Sequence, residues 1–206
     1  MSDGTAVWFD LDGTLLSIDD YGRILERACE SVGIDGEDRT VFVEAYDEAF
    51  FDALQSFRSE PYSRAARVGI ERIETDADPE AFIEALATAE CAESRVPDAV
   101  RKTLAALDDY TRGVLTNGVD AWQRRKLAHH ALDERVDEIL VSETVGAHKP
   151  DRAVFAAAAD AVAADDHWMV GDSREADMEG ARAAGWHAIH VGGPDDLPSV
   201  LDHLPD

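Results

Sequence analysis

Residues Thr5 to Phe9 form a short apolar run that stops abruptly at Asp10, too apolar for a loop and too short for a helix. The run reads as a buried strand. Runs of the same kind recur at 113–116, 139–142, 168–171 and 188–191. Helical patterns fill the gaps: one opened by Pro97 with Val100, Leu104 and Leu107 on its inner face, then 119–132, the alanine-rich 150–164, and 175–184, closed by Gly185. Strands that are apolar throughout and separated by helices predict an α/β protein, a doubly wound parallel sheet covered on both faces.

The stretch 17–94 breaks this rhythm, since about 78 residues pass without a convincing strand. Ile24, Leu25, Ala28 and Val32 mark one helical face, and Val41, Phe42, Ala45, Ala49, Phe50 and Leu54 a second. Val68, Ile70 and Ile73 mark a third, and Ala81, Phe82, Ala85 and Leu86 a fourth. Breakers at 33–36, 60–61 and 76–79 separate them. The expectation is a small helical bundle, residues 17–94, inserted into a core made of 1–16 and 95–206. The aromatic stripe Phe42, Tyr46, Phe50, Phe51 and Phe57 is assigned to the bundle core.

Charge limits the partners. With 44 acidic residues against 19 basic ones, the formal net charge is −25, and the only lysines are Lys102, Lys126 and Lys149. Such a surface repels nucleic acid and anionic membranes, and no basic stripe offsets it. A composition 45% hydrophobic and 31% charged is that of a globular chain. No apolar run is long enough to span a bilayer, and Met1, Ser2, Asp3 and Gly4 lack the features of a signal peptide, so a cytoplasmic location is expected. Cys29 and Cys91 stand in helical patterns and read as buried thiols.

In an open parallel sheet, ligands sit outside the carboxyl ends of the strands, so polar residues just after strands are the candidates for chemistry. The first strand runs into Asp10, Leu11, Asp12, Gly13 and Thr14; the second ends in Thr116, Asn117 and Gly118. Lys149 and Pro150 precede the third helix, and the fourth strand runs into Asp172, with Asp177 five residues later. Several carboxylates, a hydroxyl and an ammonium would then converge on one crevice. Crowded carboxylates need a cation, and a hard, oxygen-binding ion such as Mg²⁺ suits them.

These segments, in this order, resemble the haloacid dehalogenase-like (HAD) hydrolase superfamily, phosphatase type, with a helical cap inserted after the first motif. The resemblance covers nearly the whole chain and implies a Rossmann-like core. It implies that Asp10 is the nucleophile forming an aspartyl-phosphate and Asp12 the general acid and base. Mg²⁺ would be held by the side chains of Asp10 and Asp172 and the backbone carbonyl of Asp12, with Asp177 acting through water or from behind. Thr116 and Lys149 would hold the transferring oxygens, helped by the backbone N–H groups of Asn117 and Gly118. The implied substrate is a small phosphate monoester. By the same resemblance, dehalogenases lack the second carboxylate, so Asp12 argues against dehalogenation. A phosphomutase shares every motif and stays open. A receiver-type phosphorylation switch has a different order of motifs and no such insertion. His129, His130, His187 and His190 read as structural or surface residues, and Thr14 as a brace for its loop.

The acidic excess resembles that of proteins from salt-rich cytoplasm, where self-repulsion is screened over about 3 Å near 1 M salt. The expected outcome is loss of folded circular dichroism signal in salt-free buffer and its recovery in molar KCl. Full stability without salt would count against this reading.

Overall fold

Val7, Trp8 and Phe9 are fully buried on alternating sides of their strand, as expected for the middle of a sheet covered on both faces. A computed structural model describes residues 4–205. In chain order the elements are β1 (Thr5–Phe9), β2 (Ser17–Ile18), α1 (Tyr21–Ser31), α2 (Gly36–Gln55), α3 (Pro61–Ile73) and α4 (Pro79–Glu93). They continue with β3 (Ser94–Arg95), α5 (Asp98–Ala106), β4 (Thr111–Thr116), α6 (Asp120–His129), β5 (Glu138–Val141) and α7 (Ser142–Val145). Then come α8 (Arg152–Ala161), β6 (Asp166–Gly171), α9 (Gly180–Ala183) and β7 (His187–His190), followed by a 3-10 helix over Pro194–Asp202.

Five strands form one parallel sheet in the order β5-β4-β1-β6-β7. Chain order reverses at β1, which is the doubly wound arrangement. On one face of the sheet Trp8, Leu115 and Met169 pack against Val154, Phe155 and Ala158 of α8. Trp186 stacks beside Trp8 with ring centroids 6.3 Å apart.

The chain divides into two compact units, one running through Ser17 and resuming at Arg95, the other Ile18–Ser94. In the second, α2 packs on α3 and α1 on α4. Phe42, Tyr46 and Phe82 form its aromatic centre, with Phe82 edge-on to the other two at 4.8 and 5.4 Å. Asp20 and Asp78 cap α1 and α4 by accepting from the backbone N–H groups of Arg23 and Glu80. The aromatic stripe splits: Phe42 and Tyr46 are buried, while Phe51 and Phe57 are exposed. Val41 and Val68, counted among the apolar faces, are exposed too. Among the described residues no helix is long and apolar enough to cross a membrane.

Differences from the sequence pattern fall at element ends. β4 and β6 begin earlier, at Thr111 and Asp166, because a ladder needs only backbone groups and tolerates polar side chains at the exposed end. Ser142 opens α7 instead of closing β5, and α8 stops at Ala161, where Val162 turns extended. The helix expected from 175 starts as a wide π-type segment, Arg174–Glu179. Such a wide turn often marks a functional position.

Gly113 sits where the ring of Trp8 crosses β4, and a Cβ there would lie 2.6 Å from Trp8 Cζ3. Because Trp8 is fully buried, Gly113→Ala is expected to destabilise the protein by about 1–3 kcal/mol. The check is a urea midpoint lowered at unchanged slope.

Candidate functional site

β1, β4 and β6 are parallel and end within two residues of one another, Phe9 pairing with Val114 and Val170 while β4 continues to Thr116 and β6 to Gly171. The residues that follow them therefore meet at one edge of the sheet, where chain order reverses. Asp10, Asp12, Thr116, Asn117, Lys149, Asp172 and Asp177 all line a single cavity of about 300 Å³ there.

Lys149 is the hub. Its side chain is buried, and Nζ donates to Asp10 Oδ1 at 2.8 Å and to Asp177 Oδ1 at 2.6 Å. Burial pushes the Asp10 carboxyl up to about 6; Lys149 works against that shift and Asp177 adds to it. Burial alone would lower the Lys149 pKa, but the carboxylates of Asp10 and Asp177 outweigh it and hold the ammonium above its usual range. Asp177 is fully buried, and its second oxygen accepts from the Ser173 N–H at 3.0 Å. The side chain of Asn117 closes a two-bond clamp on the Lys149 backbone. Nδ2 donates to the carbonyl at 3.0 Å, and Oδ1 accepts from the N–H at 2.8 Å. That amide frames Lys149, which leaves only the Asn117 backbone facing a ligand.

Gly13 takes a left-handed φ of +85°, and a Cβ there would lie 2.5 Å from Asp172 Oδ2. A side chain at 13 would displace the carboxylate. Thr14, fully buried, braces the same group by donating to Asp172 Oδ1 at 3.4 Å.

Asp12 is held from the other side. Lys126 Nζ lies 2.6 and 2.7 Å from its two oxygens, and Gln123 Nε2 donates to Oδ2 at 2.8 Å. The same Nε2 is 2.9 Å from Thr116 Oγ1 and 3.1 Å from the Asn117 carbonyl, so its two hydrogens serve three acceptors. Gln123 and Lys126 are the site residues that the sequence reading passed over. A signal was there: Trp122, Gln123, Lys126 and Leu127 recur at helical spacing, and all four are buried on α6. Two polar residues on that face hid its inward direction.

Carboxylate oxygens of Asp10, Asp172 and Asp177 come within 4.8 Å of one another, a group that could hold a metal ion. An all-oxygen donor set without imidazole or thiolate fits a hard cation. A second cavity, about 310 Å³, is lined by Gly22, Leu25, Glu26, Arg39 and Val43 in the helical unit. There Arg39 pairs with Glu26 at 2.7 Å, and the lining offers no comparable convergence of acids and bases. The surface histidines take no part in the strand-end cavity, and His187 stacks on Trp168 at 4.2 Å.

A doubly wound sheet with carboxylates and an ammonium at the reversal point defines the open α/β class with a strand-end site. Residues 5–185 match the haloacid dehalogenase-like hydrolase family, and the chain belongs to it. Over 191 residues it is 29% identical to the pyrimidine 5'-nucleotidase YjjG of Escherichia coli, covering 87% of this chain and 82% of that one. It is 26% identical to the glyceraldehyde 3-phosphate phosphatase of Methanothermobacter thermautotrophicus, over 90% of this chain and 84% of that one. Identity to a phosphoserine phosphatase of Thermus thermophilus is 39%, over 48% of this chain and 39% of that relative. Among solved structures, a 2-haloacid dehalogenase from Pseudomonas syringae superposes with a TM-score of 0.73 at 22% identity, covering 97% of this chain and 99% of that one. The HAD-hydrolase YfnB of Bacillus subtilis, bound to magnesium, gives 0.69 at 18% identity, covering 98% and 100%. At those identities the likeness is one of fold.

The raised pKa of Asp10 makes its ionised form a burden on the folded state. The cost is absent below the unfolded value of 3.8, grows as pH rises, and is complete above about 6. With chelator present, Asp10→Asn is therefore expected to raise Tm at pH 8 by on the order of 5 °C. The difference should vanish below about pH 4, as read by thermal melts across pH.

Proposed function

We propose that this hydrolase is a Mg²⁺-dependent phosphatase that cleaves a small phosphate monoester through an aspartyl-phosphate on Asp10. The observation that carries the reading is the pair of carboxylates Asp10 and Asp12 in one cavity, the first held by Lys149 and the second by Lys126. In the first step the Asp10 carboxylate attacks phosphorus, the ester P–O bond breaks, and Asp12 gives its proton to the leaving oxygen. In the second, water attacks phosphorus and gives its proton to the Asp12 carboxylate, and the Asp10–phosphorus bond breaks. The products are an alcohol and inorganic phosphate, with both aspartates restored.

Lys149 supplies positive charge beside the attacking carboxylate and the transferring oxygens. Thr116 Oγ1 accepts from Gln123, so its own hydrogen, now on a long 3.4 Å contact to the Asn117 carbonyl, can turn to a phosphoryl oxygen. The backbone N–H of Asn117 completes that side; that of Gly118, expected to help, instead donates to Ser142 Oγ at 3.0 Å. Mg²⁺ would be held by Asp10 and Asp172, with the Asp12 backbone carbonyl as the further ligand the family resemblance implies and with Asp177 in support, its oxygens taken by Lys149 and Ser173. When bound, the cation neutralises charge on the phosphoryl oxygens and orients the ester. We assign selection of the leaving group to the helical insertion, as its cap. The phosphatase and nucleotidase relatives that match over most of the chain support a phosphate ester as substrate.

Multiple turnovers of p-nitrophenyl phosphate are expected with Mg²⁺ and none with chelator. Asp10→Asn should lower kcat by about a thousandfold or more, and Asp12→Ala should let labelled phosphoenzyme accumulate. Chloride release from 2-chloropropionate without phosphatase activity would overturn the assignment, and so would wild-type turnover by Asp10→Asn.

A further inference from the structure

Lys126 is 3% exposed, and none of the roles above needs it to touch the transferring group. A buried ammonium is retained only where fixed partners replace its water. Here both oxygens of Asp12 lie within 2.7 Å of Nζ, while the Asp12 side chain itself is 42% exposed. An aspartate so open to solvent would otherwise sample several rotamers. Lys126 fixes it in one. Gln123, one helical turn before Lys126 on the same inward face of α6, ties Asp12 Oδ2 to Thr116 Oγ1. The acid–base group and the hydroxyl assigned to the phosphoryl oxygens are thereby bridged by one nitrogen, 2.8 and 2.9 Å from them.

We propose that Lys126 and Gln123 are the positioning residues for Asp12, and that Lys126 makes proton delivery to the leaving oxygen efficient. This inference rests on the phosphatase reading. When the acid form of Asp12 gives its proton to the leaving oxygen, a carboxylate remains, and the Lys126 ammonium already stands where that negative charge develops. Holding the Asp12 carboxyl in one orientation spares the proton transfer the cost of ordering it. The effect is confined to esters whose leaving oxygen needs a proton. An activated ester such as p-nitrophenyl phosphate expels a stable phenolate and depends little on Asp12, whereas p-methylphenyl phosphate depends on it strongly.

The experiment measures kcat/KM of the full chain with Mg²⁺ over a series of substituted phenyl phosphates, from the p-nitrophenyl to the p-methylphenyl ester. In Lys126→Met the p-methylphenyl ester should lose about tenfold or more beyond the loss on the p-nitrophenyl ester, which steepens the dependence on leaving-group basicity. Because this is a ratio within one preparation, the fraction of folded enzyme cancels. Lys126→Arg, which keeps the charge, should restore most of the ratio. Gln123→Met should shift it in the same direction by less and provides the test where Lys126→Met folds poorly. In an Asp12→Asn background, Lys126→Met should add no further steepening, since the two act as one unit. Equal losses on both esters in Lys126→Met and Gln123→Met would overturn the inference while leaving the phosphatase reading intact. A wild-type chain inactive on every ester would overturn that reading itself.

Discussion

One ammonium between two buried carboxylates organises the working edge of the molecule. Lys149 reaches Asp10 from the end of β1 and Asp177 from the segment after β6, joining positions 139 and 28 residues away in sequence. Burying a charge without a partner is costly, and the Lys149 ammonium is the shared partner that makes the two buried carboxylates tenable. The surroundings serve that condition. Asn117 clamps the Lys149 backbone, the Ser173 N–H takes the second oxygen of Asp177, and the parallel register of β4, β1 and β6 brings their C-terminal ends to one edge of the sheet. The balance of burial against attraction leaves Asp10 poorly stabilised as an anion.

A second ammonium repeats the device on the opposite side of the cavity, where Lys126 faces Asp12. Of three lysines in a chain carrying 19 basic residues, the two at 126 and 149 are buried against aspartates. Most of the remaining positive charge is arginine at the surface, as in the pairs Arg27 with Glu93 and Arg67 with Glu80. The division follows from shape. A lysine head is compact, carries its charge at a point and can turn three donors toward different carboxylates in a tight space. A planar guanidinium presents its donors in a fixed fork and adapts less readily to two carboxylates on different segments.

The central strands were legible because both faces of β1, β4 and β6 are covered, which leaves continuous apolar runs that stop where the sheet meets solvent. Asp10, Thr116 and Asp172 stand just after those runs or at their last residue, so their neighbourhood could be read with them. Starts of strands were less legible: Thr111 and Asp166 join the ladder through backbone alone. In the helical unit Val41 and Val68 share the spacing of core residues yet lie exposed, since periodicity gives a stripe but not its edges. Gln123 and Lys126 were hidden for the opposite reason. They are polar residues that turn inward, and only the carboxylate they meet makes that position favourable.

The sequence by itself determined the alternation of elements, the class of sheet, and the residue types gathered at strand ends, because these follow from local period and from burial on both faces. It also carried the motifs by which the family is recognised. Only the tertiary structure decided which oxygen pairs with which ammonium, that the Asn117 amide braces Lys149 instead of facing a ligand, and that Lys126 closes on Asp12. Those choices depend on distances between segments 28 to 139 residues apart. Such distances are set by strand register and by the cost of leaving a buried charge alone, and neither is written in any local stretch of the chain.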